Sequence, residues 1–75
     1  MYARKIFAQN LRYLRKERGL SQEQLALRAD IDRTYVSALE RQVYSASLDT
    51  IEQLAKVLKV ELARLLERPA KNLGK

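Results

Sequence analysis

The sequence contains no cysteine and no histidine. Their absence excludes disulfide bonds and the usual zinc sites, which are built from these two residue types. It also removes the side chains that most often serve as nucleophile or general base. Neither a phosphate-binding glycine loop nor an acidic cluster suited to magnesium is present. We therefore expect no catalytic residues, no metal and no cofactor, and we do not expect an enzyme.

Proline and glycine are also scarce, with one proline and two glycines in the 75 residues. So little turn chemistry argues against an architecture of β-hairpins. Long hydrophobic runs are absent as well, because no apolar stretch approaches the roughly 20 residues that cross a bilayer. The N-terminal segment MYARKIFAQ lacks the apolar stretch of a signal peptide. The sequence therefore predicts a cytoplasmic protein without a membrane partner.

Positive charge is what the sequence has in excess, since 15 Lys and Arg stand against 9 Asp and Glu and give a net charge of +6. This balance suits a polyanionic partner, of which DNA and RNA are the leading candidates. Charge alone fits a basic protein without such a partner equally well. A chain this short makes one domain with a small core, and such domains often gain stability by self-association.

Apolar residues recur at helical spacing along the chain, as Phe7, Leu11 and Leu14 do near its start. The spacing predicts helices over residues 3–18, 22–29 and 33–40, from Ser47 or Asp49 onward, and over 61–67, with Pro69 ending the last. The apolar stripe of the fourth helix consists of Leu48, Ile51, Leu54, Ala55 and Leu58. The predicted fold is all-α, a compact five-helix bundle over residues 1–67 followed by a short basic tail over 68–75.

Several predicted helix ends coincide with capping residues. Gly19 follows an arginine-rich turn and suits a left-handed C-terminal cap. Ser21, with Gln24 three residues later, matches a capping box at the start of the second helix. Asp32 can cap the third helix in the same way. Since the second and third helices are too short to be stable alone, we expect the flanking helices to support them.

These two short helices form the most informative segment, QEQLALRADIDRTYVSALER. Ala26 is small where the helices would cross, and Val36 and Leu39 would pack the third helix against the second. The pattern indicates a helix-turn-helix over about residues 22–40. In such a motif, the second helix enters the DNA major groove and reads base edges with its N-terminal residues.

Three segments, LRYLRKERGLSQEQLA, DRTYVSALER and SLDTIEQLAKVL, follow one another in this order. Together they resemble the Cro and phage-repressor-like helix-turn-helix family, also called the XRE family, over about residues 7–66. The resemblance implies a lambda-repressor-like DNA-binding domain, a homodimer, and a recognition helix over residues 33–40. Within the family, DRTYVS is most similar to the small controller proteins of restriction–modification systems, although other regulators share similar segments.

The resemblance also assigns DNA contacts to individual residues. Base reading falls to Arg33 and Thr34, with Ser37 at the edge. Phosphate contacts fall to Gln22, Tyr35, Arg41 and Tyr44. The guanidinium of Arg33 suits guanine, because it can donate to O6 and N7 together. Each of these side chains could instead be an ordinary solvated surface residue, and Gln22 could serve only the helix cap.

Other residues have predicted structural roles. The resemblance pairs Arg12 with Glu40, which would join the first helix to the end of the third. The last helix has more apolar positions than it can bury alone, so a dimer interface is predicted at Leu62, Leu65 and Leu66, of which some should also be core and at least one should lie at the interface. The remaining cations of the first helix are predicted to form a solvated face: Arg4, Lys5, Arg15, Lys16 and Arg18.

The sequence departs from the family pattern at three positions. Asp30 replaces a turn glycine, and aspartate tolerates the left-handed conformation better than most residues. Gln42 replaces a glycine after the third helix, and Ala46 replaces a proline before the fourth. We therefore expect an unusual path for the loop over residues 41–47, which leaves the phosphate roles of Arg41 and Tyr44 open.

The leading hypothesis is a homodimeric, sequence-specific transcriptional regulator that binds double-stranded DNA at a palindromic operator. Such a protein would be nucleoid-associated, in a bacterium or phage, with RNA polymerase as a further candidate partner and no small-molecule ligand. One alternative is a protein-interaction module of the antitoxin or adaptor type, which a long apolar or disordered extension would favour. Another is nonspecific nucleic-acid or RNA binding, which stacking aromatic residues would favour.

Overall fold

The computed structural model describes residues 2–68, over which all regular secondary structure is helical. The helices are α1 (Tyr2–Glu17), α2 (Gln22–Ala29), α3 (Arg33–Glu40), α4 (Leu48–Leu58) and α5 (Leu62–Leu66). The predicted five-helix fold is confirmed, and the predicted helix ends agree with the structure to within one residue. Except for Arg68, the predicted basic tail over 68–75 lies outside the described residues, and so does Pro69.

Leucine side chains from all five helices form the core. Among residues 2–68, the leucines with no exposed surface are Leu11, Leu25, Leu39, Leu54, Leu58 and Leu65. Burial of one such side chain stabilises the fold by about 1.5–3 kcal/mol. Helix α1 packs against α3 and α5, α2 packs against α3 and α4, and α4 packs against α5. The two eight-residue helices α2 and α3 are therefore held by the longer α1 and α4 on either side.

The predicted caps are confirmed. Gly19 has a φ of 68° after the last turn of α1. At the start of α2, the Gln24 N–H donates to Ser21 Oγ over 3.0 Å, and the Ser21 N–H donates to Gln24 Oε1 over 2.8 Å. Ser47, rather than Asp49, caps α4, because its Oγ accepts from the Thr50 N–H.

Within residues 2–68, three residues other than glycine adopt the left-handed conformation, namely Asp30 with φ of 59°, Gln42 with φ of 65° and Lys59 with φ of 60°. Asp30 and Lys59 follow α2 and α4 directly, where a left-handed residue lets the chain turn away from the helix axis. Gln42 takes this conformation at the position where the family pattern has glycine. The change of residue has not removed the left-handed turn after α3.

Helix α5 has only five residues and is held against α1. Asn10 is fully buried and donates from Nδ2 to the backbone oxygens of Leu65 and Glu67, over 2.9 and 2.7 Å. These bonds occupy carbonyl groups that the end of a helix leaves without an intrahelical partner. Leu65 thus belongs to the core of a single chain, and its predicted place in a dimer interface is wrong. Leu62 is half-buried and Leu66 is 41% exposed.

Leu48 also differs from the prediction. It was expected in the apolar stripe of the fourth helix, yet its side chain is 69% exposed. Leu48 is the first residue of α4, directly after the Ser47 cap. The helix reaches the core one turn later, where Ile51 is buried.

Candidate nucleic-acid interface

The orientation of α3 is set by its packing against α2. Ala26, Val36 and Leu39 are all buried between the surrounding helices, and the small side chain of Ala26 permits a close approach. The Ile31 N–H donates to the Ala26 oxygen over 3.0 Å and closes the turn between the two helices. Asp32 caps α3, because its Oδ1 accepts from the Thr34 N–H over 3.3 Å. One side of α3 is thereby fixed inward, and the opposite side faces solvent.

The solvent side of α3 carries the predicted base-reading residues. Arg33 and Thr34 are exposed, and Ser37 is half-buried beside them. The ion pairs of residues 2–68 use Arg15 and Arg18 as their cations, so Arg33 has no carboxylate partner. A guanidinium at the start of an exposed helix and without an intramolecular partner is available to an external acceptor.

Tyr44 is brought to α3 by an aromatic contact. The rings of Tyr35 and Tyr44 have their centroids 6.4 Å apart and are tilted by 55°. Tyr35 is half-buried, whereas Tyr44 is 57% exposed. The pair therefore holds the loop that follows α3 against that helix and leaves the outer tyrosine accessible.

Arg41 lies directly after α3 and bonds back to it. Its Nε donates to Ser37 Oγ over 3.3 Å, and its backbone N–H donates to the Ser37 oxygen over 3.0 Å. The side chain is exposed. Ser37, a predicted base-reading residue, and Arg41, a predicted phosphate contact, are thus hydrogen-bonded to each other.

Glu40 is the centre of a buried network that connects three helices. Arg15 donates from Nε and Nη2 to the two carboxylate oxygens of Glu40, over 2.6 and 3.0 Å. The Gln22 Nε2 donates to the same carboxylate over 3.1 Å. Arg15 also donates from Nη1 to the Leu20 oxygen. Gln22, the predicted phosphate-binding residue, is therefore fixed at the N-terminus of α2 with a second amide N–H still to donate.

The arginine that pairs with Glu40 is Arg15, so the predicted pair of Arg12 with Glu40 is wrong. Arg12 is exposed, whereas the side chain of Arg15 is only 10% exposed. The reason lies in the phase of α1. Arg15 follows the buried Leu11 by four residues and lies on the same side of the helix, whereas Arg12 is turned about 100° away from Leu11. The apolar periodicity of α1 was the signal that distinguishes the two arginines.

Two further arginines of α1 also have partners in the fold. Arg4 donates from Nε to Ser45 Oγ over 3.0 Å and from Nη1 to the Gln42 oxygen over 3.5 Å. Arg18 donates from Nε to the Leu58 oxygen at the end of α4. The predicted solvated face of α1 is therefore wrong for Arg15, which is buried, whereas Arg4 is half-buried and Arg18 is exposed while both bond to other elements. Because these bonds join residues far apart in sequence, no local pattern indicates them.

Comparison with protein families supports this geometry. The family model described as helix-turn-helix matches residues 11–65, the part of the chain from the middle of α1 through most of α5. The chain belongs to the helix-turn-helix family. The predicted resemblance to Cro and phage-repressor-like DNA-binding regulators is confirmed.

Curated relatives of this helix-turn-helix protein are named as regulators of transcription or as control proteins. A hypothetical transcription factor of Neisseria meningitidis serogroup B is 43% identical over 70 residues, which cover 93% of this chain and 66% of the relative. The chain thus spans slightly less than two thirds of that relative. Control protein C.BamHI of Bacillus amyloliquefaciens is 42% identical over 65 residues, which cover 85% of this chain and 80% of the relative.

Solved structures of helix-turn-helix proteins superpose on more than four fifths of the chain. The restriction-modification controller protein C.AhdI of Aeromonas hydrophila has a TM-score of 0.83 at 42% identity, covering 87% of this chain and 98% of that one. SinR, described as the master regulator for biofilm formation and solved in complex with DNA, has a TM-score of 0.79 at 32% identity, covering 81% of this chain and 98% of that one. These relatives are regulators rather than enzymes.

Other kinds of site find little support within residues 2–68. No cluster of three acidic side chains is arranged to hold a metal ion in that part of the chain. None of its helices is long and apolar enough to span a bilayer.

Proposed function

We propose that the protein is a sequence-specific transcriptional regulator that inserts α3 into the DNA major groove. Arg33 and Thr34 read base edges, and Ser37 lies at the margin of the same surface. The observation that carries the proposal is the exposed guanidinium of Arg33 at the start of α3, which has no carboxylate partner among residues 2–68. Recognition helices contact bases mainly with their N-terminal residues, and an arginine there can bond guanine at O6 and N7. A DNA-binding regulator of this kind acts in the cytoplasm, on the nucleoid.

The phosphate contacts follow from the elements around α3. Gln22 offers an amide N–H at the start of α2, where the first backbone N–H groups and the helix dipole also favour an anion. Its carboxylate partner Glu40 is bonded twice by Arg15 and once by Gln22. The network therefore fixes the Gln22 side chain and leaves its second amide N–H free to donate to a phosphate. Tyr35, Tyr44 and Arg41 lie on and after α3 and complete the proposed backbone contacts. Such contacts position the protein, whereas the base contacts give specificity.

The test is in-vitro selection from random duplex DNA with the wild type, Arg33→Ala and Arg12→Ala. The control removes the same charge from an exposed site on α1. We expect a symmetric motif for the wild type and for Arg12→Ala. Arg33→Ala should lose about 1–3 kcal/mol on that motif and relax the preference at one base pair. Absence of any enriched motif with the wild type would overturn the proposal and favour a protein-interaction module.

We further propose that the protein binds as a homodimer whose recognition helices reach half-sites about 34 Å apart. Leu62 and Leu66 are four residues apart and share a side of α5, and Leu66 is 41% exposed. Tyr2 of α1 lies close to this end of the molecule, since its ring stacks under the guanidinium of Arg68 at 5.2 Å. Apolar surface at the end of the bundle suits a symmetric contact with a second copy.

Analytical ultracentrifugation of Leu66→Asp tests the dimer, with Leu27→Asp as the control. Leu27 is the more exposed of the two, at 81%, but lies on α2. Leu66→Asp should dissociate the dimer at concentrations where Leu27→Asp and the wild type remain associated, with all three equally helical. Unchanged association of folded Leu66→Asp would remove α5 from the interface. Leu65→Asp is unsuitable here, because it would place a charge in the core.

A further inference from the structure

The hydrogen bond between Arg41 and Ser37 changes the roles expected of both residues. Arg41 Nε donates to Ser37 Oγ over 3.3 Å. Glu40, the carboxylate next to Arg41 in sequence, does not compete for it, because Glu40 is bonded by Arg15. The Nη1 and Nη2 groups of Arg41 are thus left as a two-donor fork on an exposed side chain.

The fork lies on the surface that faces DNA in the proposed function. At 3.6 residues per turn, Arg33, Ser37 and Arg41 fall within about 80° of one another around the helix. Arg41 retains a near-helical backbone, with φ of −91° and ψ of 4°, and its N–H still bonds to Ser37. Arg33 and Arg41 are therefore on one side of α3, about 12 Å apart along its axis.

We propose that Ser37 is a positioning residue for Arg41 and that its hydroxyl does not itself read a base. Ser37 holds Nε, and the remaining edge of the guanidinium binds a pair of acceptor oxygens or nitrogens on DNA. A phosphate and a guanine edge both offer this chemistry. The inference rests on the proposed function, because it requires α3 to face the groove. Its physical basis is preorganisation, since an arginine held in place before binding loses less conformational freedom on DNA.

A double-mutant cycle on the wild-type selected duplex tests this role. The variants are Ser37→Ala, Arg41→Ala and both together, with Ser37→Ala combined with Arg12→Ala as the charge-matched control. Ser37→Ala should weaken binding about two- to tenfold in the wild-type and Arg12→Ala backgrounds. In the Arg41→Ala background it should have no further effect, because the guanidinium that Ser37 holds is gone.

The outcomes separate the inference from the proposed function. An equal loss from Ser37→Ala in both arginine backgrounds, with relaxed preference at one base pair, would show that Ser37 reads that base and would overturn the inference alone. Failure of the wild type to bind any duplex would overturn the proposed function and the inference with it. A second readout needs no DNA: Ser37→Ala should shift the Arg41 ¹Hε–¹⁵Nε NMR signal of the free protein and leave that of Arg12 unchanged. An unshifted Arg41 signal would also overturn the inference.

The same duplex distinguishes the two acceptors. If Arg41 binds a phosphate, Arg41→Ala weakens binding to all sequences alike and lowers the salt slope of log K by about one. If Arg41 binds guanine, Arg41→Ala relaxes the preference at one base pair, and this base pair differs from the one that Arg33→Ala affects. Either result for Arg41→Ala supports the role of Ser37 as a positioning residue if Ser37→Ala produces the same kind of change, but a smaller one. If Ser37→Ala changes binding or base preference in a different way from Arg41→Ala, the positioning role of Ser37 is contradicted.

Discussion

At its N-terminal end, α3 is held by residues adjacent in sequence, whereas at its C-terminal end it is held by arginines from α1. Asp32 caps the first turn of α3, and Asp30 supplies the left-handed turn just before it. After the last turn, Arg15 bonds Glu40 from 25 residues away, and Arg4 bonds the Gln42 oxygen from 38 residues away. Both ends must be fixed if Arg33 and Tyr44 are to meet one DNA duplex together.

The difference teaches that the two parts proposed to contact DNA depend on different sets of interactions. The N-terminal end of α3, which carries the proposed base-reading residues, is positioned by the Asp32 cap, by α2 and by the core beneath it. The loop end depends on where α1 lies, and α1 also holds α5 through Asn10. A dimer built on α5 is therefore linked through α1 to the loop that carries Tyr44.

Removal of Arg15 should have the largest effect on this arrangement. Its side chain and that of Glu40 are 10% and 4% exposed, so Arg15→Ala leaves a buried carboxylate without its cation. We expect a loss of about 3–5 kcal/mol in the free energy of unfolding, measured by urea denaturation. Small domains have little stability in reserve, so Arg15→Ala should be partly unfolded at room temperature.

Arg12→Ala is the matched control, since it removes the same residue type from an exposed position of the same helix. Its effect should stay within about 0.5 kcal/mol. Equal destabilisation by the two substitutions would contradict the assignment of Arg15 as the partner of Glu40.

The same contrast explains how much could be predicted from sequence. Caps at Ser21 and Asp32 and the left-handed Asp30 depend on neighbours within a few residues, so local chemistry predicts them. The partners of Glu40 and Gln42 depend on how α1 is rotated and placed, which is decided by packing of the whole core. The family resemblance predicts α3 as the recognition helix, but it paired Glu40 with Arg12, and only the phase of the buried leucines distinguishes Arg15 from Arg12. Leu65 was misassigned for the same reason, because its burial depends on Asn10 and the α1–α5 contact.

Asp32→Ala and Arg4→Ala should differ in the kind of destabilisation they produce. Loss of an N-cap typically costs about 1 kcal/mol of global stability, and Asp32→Ala should show this in urea denaturation.

Arg4 makes exposed hydrogen bonds to a loop, so Arg4→Ala should cost less globally. It should instead accelerate amide hydrogen exchange at loop residues 42–46, through local opening. The contrary result is faster exchange throughout the bundle of Arg4→Ala, by an amount that corresponds to its loss in the free energy of unfolding. That result would show that Arg4 supports the core rather than the loop.

Replacement of the left-handed residues by glycine should give the smallest effects and the sharpest comparison of the two ends of α3. Gln42→Gly removes the steric penalty of a non-glycine residue in this conformation, about 1–2 kcal/mol, but adds freedom to the unfolded chain. The net result should be stabilisation by about 0.5–1 kcal/mol. Asp30→Gly should change stability less, because aspartate already tolerates this conformation.

The relation of Gln42 to Arg4 can then be measured directly by combining the two substitutions. If Arg4 compensates for the missing glycine, Arg4→Ala should be less destabilising in the Gln42→Gly background than in the wild type. In the Asp30→Gly background, at the other end of α3, Arg4→Ala should have its full wild-type effect, because residues without shared partners usually behave additively. Identical losses in all three backgrounds would show that Arg4 and the left-handed turn act independently. The contrast between a locally fixed and a remotely fixed end of α3 would then rest on Arg15 and Glu40 alone.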